Sequence, residues 1–448
     1  ALTGGRVEGS RYIPQALSRG AGFVVSNCRI DSGPAGAKTC FVYSPDPNQT
    51  LGELAAASYG TEEMTSTLLG ITGTNGKTTV GYGLDYLLRS AGKRAGLLGT
   101  IAYRWPGHEQ EAALTTPGCL EVHRLLAEMR SSGVDTVCME VSSHALVQKR
   151  VAGLRFDLAL FTNLSHDHLD YHLDMEDYFQ AKSRLFSSQN GKKPFPILNL
   201  DDPYGRKLAV AKRPGLGYGL RPSEIEGYDF VQGTLTRLSR EGIELEVAYH
   251  GQKWQIRSPL LGRHNASNLL AVQAAGLKLG LNPDVLSSLS GFPGVPGRLE
   301  RVRIPSGAHA FIDYAHTPEG LRSVLKAIRE IDFARVIVVF GCGGDRDRVK
   351  RPLMGRAVAE NSDLAVLTSD NPRTEDPGRI MQEILPGLEA SKRVIQEPDR
   401  ARAIELALHE AGPGDAVIIA GKGHEAYQDI NGEKRPFSDR EMVKTLCA

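Results

Sequence analysis

A glycine-rich loop between an apolar run and a helical stretch constrains the fold of this chain more than any other segment. The apolar run ends at Thr72, and the stretch after the loop predicts a helix that begins at Lys77. The loop and first helical turn consist of Gly73, Thr74, Asn75, Gly76, Lys77, Thr78 and Thr79. Backbone N–H groups in such a turn, with the positive end of the helix dipole, form a cavity for a polyphosphate. Lys77 would add charge near the β- and γ-phosphates, and the hydroxyl of Thr78 or Thr79 would face Mg²⁺.

This loop is a shortened form of the nucleotide-binding P-loop. The strict pattern has a glycine five residues before Gly76, where this chain has Ile71. The alternative interpretation is an ordinary strand-to-helix turn that happens to contain glycines. The adjacent Gly76, Lys77 and Thr78, set between a strand and a helix, favour nucleotide binding over that alternative.

Apolar runs that alternate with helical stretches predict an α/β fold with mostly parallel sheets and helices on both faces. Residues 221–257 depart from this rhythm, and their alternating pattern predicts an antiparallel side sheet. The predicted strands elsewhere are 22–26, 68–72, 136–141, 158–163, 311–314, 336–340, 364–368, 393–396 and 416–420.

The length and two loop segments predict three domains. At roughly 150 residues per domain, 448 residues correspond to about three. Residues 44–47 and 291–297 are rich in proline or glycine and predict linkers. We therefore expect a small N-terminal α/β domain at 1–45, a central P-loop ATPase domain with the side sheet at 46–294, and a C-terminal Rossmann-like domain at 295–448.

Composition excludes several classes of function. The 53 basic and 52 acidic residues leave a net charge of +1, which argues against a nucleic-acid-binding protein. The six cysteines form no C-x-x-C pair, so neither a disulfide framework nor a cysteine zinc site is predicted. No apolar run would span a bilayer and no signal peptide is recognisable, so we expect a cytoplasmic enzyme. Because the chain opens at Ala1 without a methionine, we expect further residues before it.

Acidic and histidine residues gather at two further strand ends. Glu140 ends a predicted strand, where a Mg²⁺ ligand or a helix cap would stand. His166, His168 and Asp170 resemble the opening of a zinc-hydrolase signature, but that signature has a histidine where this chain has Tyr171. Lys182 follows on a predicted helix, and composition alone predicts a solvated side chain there.

Several segments together resemble the Mur ligase family, the ATP-dependent amide-forming enzymes of peptidoglycan synthesis. In the family's order they are 73–79, Glu140, 163–168, Lys182, 264–268, 297–298 and 313–318. Asp370-Asn371-Pro372-Arg373 is similar to the motif of members that add meso-diaminopimelate rather than L-lysine. The resemblance implies three small-molecule substrates: ATP, UDP-N-acetylmuramoyl-L-alanyl-D-glutamate and meso-diaminopimelate. It also implies Mg²⁺ as cofactor, an acyl phosphate intermediate and, we expect, a monomer.

The resemblance implies a role for each matching residue. The 73–79 loop would hold the ATP phosphates, and Lys77, Glu140, His168 and Lys182 would be catalytic. Metal would be held by Thr79, Glu140, His168 and Lys182, the last as a carbamate. The UDP-sugar peptide would contact Thr115, Thr116, Ser142, Gln148 and Arg150. The nucleotide would also lie near Asn268, Arg298, Asp313 and His316. The incoming amino acid would contact Arg346, Asp370, Asn371, Pro372, Arg373, Gly421 and Glu425.

Two positions depart from the family pattern. Leu114 stands where the family often has asparagine, so the polar contact that asparagine makes to the peptide substrate is not expected from this side chain. The family's opening Asp-Ser-Arg segment, which helps to hold uridine, does not occur in a chain that starts Ala1-Leu2-Thr3-Gly4-Gly5. We therefore expect the given sequence to start downstream of that segment and to contain only part of the uridine site of the N-terminal UDP-binding domain.

The amino-acid choice depends on one carboxylate. Meso-diaminopimelate carries a carboxylate at its remote end that L-lysine lacks, and Arg373 suits bidentate contact with it. Glu425 would accept from the remote amine. The alternative for Arg373 is a structural arginine in a proline-containing loop. Parts of the sequence also fit the lysine-adding relative, the folylpolyglutamate synthase branch, a zinc hydrolase or a non-catalytic nucleotide switch.

Overall fold

The computed structural model describes residues 2, 9–28, 39–169, 171–188, 191–211 and 214–447. Asp170 of the zinc-hydrolase alternative lies outside the described residues, as do Ala1, Thr3, Gly4 and Gly5 at the start. Contacts divide the chain into two compact units, one of Ala1–Val231 with Ala271–Asn282 and one of Gln232–Leu270 with Pro283–Ala448. The three-domain division at 45/46 and 294/295 stays a prediction.

The first unit contains ten strands and seven helices among its described residues. The strands are β1 (Phe23–Ser26), β2 (Cys40–Tyr43), β3 (Thr67–Thr72), β4 (Ala95–Leu98), β5 (Ala102–Trp105), β6 (His108–Glu111), β7 (Thr136–Glu140), β8 (Leu158–Phe161), β9 (Phe195–Asn199) and β10 (Gly215–Gly219). The helices are α1 (Ile13–Ser18), α2 (Pro47–Tyr59), α3 (Lys77–Ser90), α4 (Cys119–Ser131), α5 (Ser143–Val147), α6 (Met175–Ser183) and α7 (Pro203–Val210).

A mainly parallel sheet organises this unit. Its strands follow the order β10-β9-β8-β3-β7-β4-β5-β6, parallel from β10 to β4 and antiparallel at β5 and β6. Strands β7 and β8 are buried at every position, as parallel strands covered on both faces are. Leu125 and Met129 of α4 pack with Leu68 of β3 and Val137 of β7 in one apolar core. The carboxyl ends of β3, β4, β7 and β8 therefore share one edge of the sheet.

Strand β11 (Tyr228–Ser239) and helix α8 (Arg263–Lys278) each cross the boundary between the two units. The remaining strands of the second unit are β12 (Gly242–Tyr249), β13 (Gln252–Ser258), β14 (Glu300–Arg303), β15 (His309–Asp313), β16 (Val336–Phe340), β17 (Leu364–Leu367), β18 (Val394–Gln396), β19 (Ala416–Ala420), β20 (Tyr427–Ile430) and β21 (Glu433–Pro436). Its remaining helices are α9 (Pro283–Ser287), α10 (Pro318–Arg329), α11 (Lys350–Ala359), α12 (Pro377–Ile384), α13 (Arg400–Glu410) and α14 (Asp439–Leu446).

A second parallel sheet organises this unit, in the order β14-β15-β19-β16-β17-β18 with only β14 antiparallel. Strands β16 and β19 are buried at every position. Leu321, Leu325 and Ile328, spaced along one face of α10, pack in the same core as Val338 and Ile418. Strands β11, β12 and β13 pair antiparallel, as the alternating pattern of residues 221–257 predicts. The predicted α/β class is therefore confirmed.

One predicted linker contains a helix start. Asp46 accepts a hydrogen bond from the Gln49 N–H, and Pro47 is the first residue of α2. Proline fits the first helical position because its missing N–H would have no partner there in any case. Within the ranges that the structure describes, no helix is both long and apolar enough to cross a membrane.

Candidate active site

The glycine-rich loop turns sharply at the carboxyl end of β3. Gly73 has a φ of 148°, and a Cβ there would lie 1.9 Å from Thr162 Oγ1. Gly76 precedes α3 with a φ of 87°. The end of β8 holds the loop, because Thr74 N donates to Asn163 O at 2.8 Å and Asn75 N donates to Asn163 Oδ1 at 3.0 Å. Only glycine fits at position 73, so the loop backbone is specified by packing as well as by conformation.

Two lysines donate to the same carbonyl of this loop. Lys77 Nζ lies 2.9 Å from Gly73 O and 2.9 Å from Thr74 O. Lys182 Nζ also lies 2.9 Å from Gly73 O and 4.5 Å from the centre of the Tyr178 ring. Composition predicts a solvated side chain for Lys182, and this prediction is wrong because the residue is only 1% exposed. Its position on α6 brings its side chain to the Gly73 carbonyl of the loop.

Burial holds the pKa of Lys182 well below the usual value for lysine, and the neighbouring Lys77 charge lowers that pKa further. Both effects disfavour the ammonium form, since a buried charge loses hydration and two cations repel. A neutral amine is a nucleophile, whereas an ammonium is not. The environment of Lys182 therefore favours chemistry at its nitrogen.

Glu140 is fully buried at the end of β7 and is held by two threonines. Its Oε2 accepts from Thr78 Oγ1 at 3.1 Å and from Thr100 Oγ1 at 2.9 Å, while Oε1 accepts from Thr100 N at 3.0 Å. Sequence reasoning missed Thr100. Its signal is its place just after β4, which lies next to β7 in the sheet. Thr79, the predicted metal ligand, follows Thr78 on α3 and is half-buried.

The oxygens at this edge fit a magnesium ion better than a zinc ion. In the part of the chain that the structure describes, no three His, Cys, Asp or Glu side chains form a metal-binding group. Mg²⁺ is usually held by one or two carboxylates together with substrate phosphates and waters. A single carboxylate beside a threonine hydroxyl and a phosphate-binding loop meets that requirement.

His168 belongs to a group of rings in contact with one another, contributed by α5, α6 and the segment between them. Its φ is 53°, its N–H donates to Asp167 Oδ1 at 2.8 Å, and its side chain is exposed. Its ring centre lies 5.0 Å from that of His144, which stacks on Tyr171 at 4.0 Å. The buried His172 instead contacts Asp177 Oδ2 at 3.2 Å and Ser143 Oγ at 3.0 Å. His172 is therefore a packing residue, whereas the His168 side chain is exposed.

The residues predicted to hold the UDP-sugar peptide form one connected network next to Glu140. Thr116 Oγ1 donates to Glu140 O at 2.8 Å and accepts from Ser142 N at 3.0 Å. Arg150 Nη1 donates to Thr116 O at 2.9 Å, and its Nη2 donates to Gln148 Oε1 at 2.7 Å. In the same network, Thr115 Oγ1 lies 3.1 Å from Thr100 Oγ1.

In the second unit, three of the residues predicted near the nucleotide surround Tyr314. Asp313 ends β15, and its carboxylate accepts from Leu299 N at 2.7 Å and Ala315 N at 2.8 Å. Burial raises the pKa of Asp313, while the charge of Arg298 opposes the rise. The Arg298 guanidinium lies 5.0 Å from the centre of the Tyr314 ring, and His316 Nδ1 lies 2.8 Å from Tyr314 O.

The fourth residue predicted near the nucleotide, Asn268, lies on α8. Its Nδ2 donates to Asn265 Oδ1 at 3.0 Å, one helical turn earlier, and Asn265 Nδ2 donates to Leu261 O at 2.8 Å. Both asparagines are buried. The Asn268 amide is therefore held from within its own helix, through Asn265.

The predicted amino-acid site forms where β17 and β19 end. Asn371 Nδ2 donates to Glu425 Oε2 at 3.0 Å. Gly421 has a φ of 119°, and a Cβ there would lie 2.4 Å from Asp370 Oδ2. That oxygen is buried without a hydrogen-bond partner among the described residues. An acceptor of this kind suits a ligand that brings its own N–H.

Arg373 stands at the rim of this site. It has a φ of 51°, and Nη1 donates to Gly344 O at 2.7 Å. Its nearest carboxylate is Asp429, with 3.8 Å between Nε and Oδ2, and 27% of the side chain is exposed. The guanidinium thus keeps donors available for a ligand. Asp429 was not predicted, because it lies 56 positions after Arg373 in the sequence.

The loop after β16 borders the same segment. A Cβ on Gly344 would lie 1.9 Å from Pro372 O, so glycine allows the loop to pack closely there. Glu375 accepts from Asp345 N and from the buried Arg351, which together hold the loop in place. The predicted Arg346 follows in this loop with an exposed side chain.

Two family models and several relatives match this chain. The family model described as the Mur ligase middle domain matches residues 71–276, and that described as the Mur ligase, glutamate ligase domain matches residues 297–423. A UDP-N-acetylmuramoyl-L-alanyl-D-glutamate–2,6-diaminopimelate ligase of Lawsonia intracellularis is 49% identical over 448 residues, covering 100% of this chain and 92% of that protein.

Two further matches extend along the chain. A protein of the same name from Gloeobacter violaceus is 47% identical over 450 residues, covering 99% of this chain and 89% of that protein. A solved structure with that name has a TM-score of 0.71 at 32% identity, covering 98% of this chain and 88% of the other. The resemblance carried by the sequence motifs is thus confirmed, and the chain belongs to the Mur ligase family of ATP-dependent ligases.

Proposed function

We propose that this chain joins meso-diaminopimelate to the D-glutamate carboxylate of UDP-N-acetylmuramoyl-L-alanyl-D-glutamate, with ATP converted to ADP and phosphate. The observation that carries the proposal is the Arg373 guanidinium, partly exposed beside the hydrogen-bonded pair of Asn371 and Glu425. Together they offer donors for a remote carboxylate and an acceptor for a remote amine. The relatives at 49% and 47% identity carry the name of that reaction.

The selectivity for meso-diaminopimelate over L-lysine follows from the Arg373 guanidinium, which only the former would pair with a carboxylate. With meso-diaminopimelate, the remote carboxylate would accept two parallel N–H bonds from Arg373. L-Lysine would bring its amine to Glu425 but leave the guanidinium without a carboxylate. A site built for a polar group rejects an analogue that lacks it, because its own polar atoms then lose their partners. Arg346, Asp370, Asn371, Pro372 and Gly421 would complete the contacts to the amino acid.

The proposed reaction has two steps. The substrate carboxylate attacks the γ-phosphorus of ATP, the bond to ADP breaks, and an acyl phosphate forms. The amine of diaminopimelate then attacks the acyl carbon, an amide forms, the nitrogen loses a proton, and inorganic phosphate leaves. Positioning and charge neutralisation dominate such phosphoryl transfer, and Lys77 with the 73–79 loop would supply both to the phosphates.

Four residues are proposed as the metal site: Thr79, Glu140, His168 and Lys182. Bound Mg²⁺ would neutralise charge on the phosphates. Lys182 would join as a carbamate: its neutral amine attacks the carbon of CO₂, a C–N bond forms, a proton leaves, and an anionic oxygen group results. The lowered pKa of Lys182 supports this assignment, because only the neutral amine can react. Its 2.9 Å distance to Gly73 O brings the site to the phosphate loop.

The remaining proposed contacts are those to the UDP-sugar peptide and to the nucleotide. Thr115, Thr116, Ser142, Gln148 and Arg150 would hold the UDP-sugar peptide. Asn268, Arg298, Asp313 and His316 would approach the nucleotide. Since ATP and a UDP-linked sugar are nucleotides of the cytoplasm, we propose that the enzyme acts there, as a monomer on small-molecule substrates.

A phosphate-release assay with a panel of amino acids tests the proposal. Phosphate should appear only when ATP, the UDP-sugar dipeptide and meso-diaminopimelate are all present. L-Lysine should be used with a kcat/KM lower by a factor of about 10² or more. Equal use of lysine, or ATP hydrolysis independent of the dipeptide, would show that the proposed function is wrong.

A further inference from the structure

Lys422, next to the predicted Gly421, is a buried lysine to which the proposed reaction assigns no role. Its side chain is 0% exposed, and Nζ lies 3.0 Å from Asn371 Oδ1 and 3.0 Å from Glu425 Oε2. The centre of the Tyr427 ring lies 5.5 Å from the same nitrogen. Lys422 therefore contacts both of the polar side chains proposed to face the remote end of the amino acid.

The contact with Lys422 determines which end of the Asn371 amide faces which neighbour. Asn371 Oδ1 accepts from Lys422 Nζ and also from Asp429 N at 2.9 Å. Because a lysine amine and a backbone N–H donate, the atom that faces them must be the amide oxygen. The nitrogen then points the other way, with one N–H donated to Glu425 Oε2. Among the described residues no acceptor faces its second N–H, which can therefore bind a ligand acceptor such as a carboxylate.

The same lysine determines what Glu425 can offer. Its Oε2 already accepts from both Lys422 Nζ and Asn371 Nδ2. The other carboxylate oxygen, Oε1, therefore remains as the acceptor for a ligand, on a side chain that is 20% exposed. An ammonium group on the ligand would suit it, since it brings donors and the opposite charge.

We propose that Lys422 is a positioning residue that determines which hydrogen-bond donor and which acceptor the amino-acid site presents to its ligand. It holds Asn371 so that the site presents an N–H, and it holds Glu425 so that the site presents a carboxylate oxygen. This arrangement selects a remote end that carries both a carboxylate and an amine. The inference rests on the proposed function and deepens it, because it assigns part of the amino-acid specificity to a residue that does not touch the substrate.

The test compares the Lys422→Met variant with the wild type, both as the full chain. The two amino-acid substrates are meso-diaminopimelate and 2-aminopimelate, which lacks only the remote amine. The wild type should prefer meso-diaminopimelate by at least about 10-fold in kcat/KM, as polar sites prefer a matching group. The variant should raise the KM for meso-diaminopimelate about 10-fold and reduce this preference to about 2-fold. The KM values for ATP and for the UDP-sugar dipeptide should stay within about 2-fold, which general damage to the fold would not allow.

Lys434→Met is the matched control. Lys434 Nζ also lies over the Tyr427 ring, at 4.1 Å from its centre, but on the exposed hairpin strand β21. This variant removes a lysine from the same aromatic ring without touching Asn371 or Glu425. Its preference between the two amino acids should equal that of the wild type. A loss equal to that of Lys422→Met would overturn the proposal.

The outcomes separate this inference from the proposed function. If the wild type does not use meso-diaminopimelate, the proposed function fails first. If it does, and Lys422→Met keeps both the KM and the preference, only the role of Lys422 is wrong. If Lys422→Met does not fold, Lys422→Gln, which keeps one N–H donor, enters the same assay and should lose at least about 3-fold of the preference. An unchanged preference, or failure of both variants to fold, would overturn the proposal.

Discussion

The phosphate-loop site and the amino-acid site each contain a fully buried lysine, and the two lysines have opposite surroundings. Lys182 lies against a carbonyl oxygen and a second cation, Lys77. Lys422 lies against a carboxylate and an amide oxygen. The first environment lowers the pKa of its lysine and favours chemistry at nitrogen, whereas the second forms an ion pair that orients its neighbours. Burial alone thus does not define what a lysine does, because the groups around it decide.

The comparison is tested first at Lys77, where the largest effect is expected. Lys77→Ala should lower turnover by about 10³-fold or more, because the transferring phosphoryl group loses a positioned charge. Phosphate release measures turnover, and circular dichroism should show an unchanged fold. Near-normal turnover in a folded variant would remove Lys77 from the reaction.

The next prediction concerns Lys182 and tests whether its amine acts as a carbamate. Lys182→Ala should lower turnover by about 10²-fold or more, because an anionic metal ligand is lost. Short-chain carboxylic acids added to the assay should restore part of the rate, since they can supply the missing carboxylate. The control is the wild type with the same acids, whose rate should not rise. An unimpaired variant would mean that no carbamate is needed.

Arg373 tests the selectivity of the amino-acid site. Arg373→Lys should lower kcat/KM for meso-diaminopimelate about 10²-fold, because a point charge replaces a bidentate donor. The KM for ATP should not change. Arg379→Lys, on the exposed face of α12, is the matched control and should behave as the wild type. If Arg373→Lys kept full activity, the remote carboxylate would have to bind elsewhere.

Thr100 tests how Glu140 is held in the phosphate-loop site. Thr100→Val removes the hydroxyl that donates to Glu140 Oε2 but keeps the backbone N–H bond to Oε1. The carboxylate should then be less well oriented, and the concentration of Mg²⁺ needed for half-maximal rate should rise several-fold, about the effect of losing an outer hydrogen bond. Titration of activity with Mg²⁺ measures this. An unchanged requirement would mean that the Thr100 hydroxyl does not position Glu140.

The smallest expected effect is the pH dependence that Lys182 gives to the free energy of unfolding. Because the pKa of Lys182 is lowered in the folded state, the unfolded chain binds more protons in the range between that lowered pKa and the usual lysine value of about 10.4. The free energy of unfolding should therefore rise with pH across that range. Thermal unfolding in CO₂-free buffer should show that Lys182→Met exceeds the wild type in stability near neutral pH and that this advantage shrinks as the pH rises. A constant difference would show that Lys182 does not titrate abnormally.

Local features were predictable because their causes are local. The strand-loop-helix around Gly73 was predicted with the helix start at Lys77, and the strands at 336–340 and 416–420 match β16 and β19. Glu140 was placed at the end of a strand for the same reason. The predicted linker at 44–47 instead contains the first residue of α2, because proline is common both in linkers and at the first position of a helix.

Contacts between distant segments were not predictable in this way. Thr100 reaches Glu140 only because β4 lies beside β7, which strand order decides. Asn371 follows β17 whereas Lys422 follows β19, and these strands are not adjacent because β16 lies between them. No spacing in the sequence indicates such proximity.

The sequence by itself determined the fold class, the phosphate loop and the family, because these depend on residue types at short spacing. The tertiary structure alone decided the surroundings of the buried lysines. Composition predicts a solvated side chain for Lys182, yet packing removes water from it and brings Lys77 to the same carbonyl. Hydration and nearby charge set the protonation of a lysine, and both are properties of the folded environment rather than of the residue.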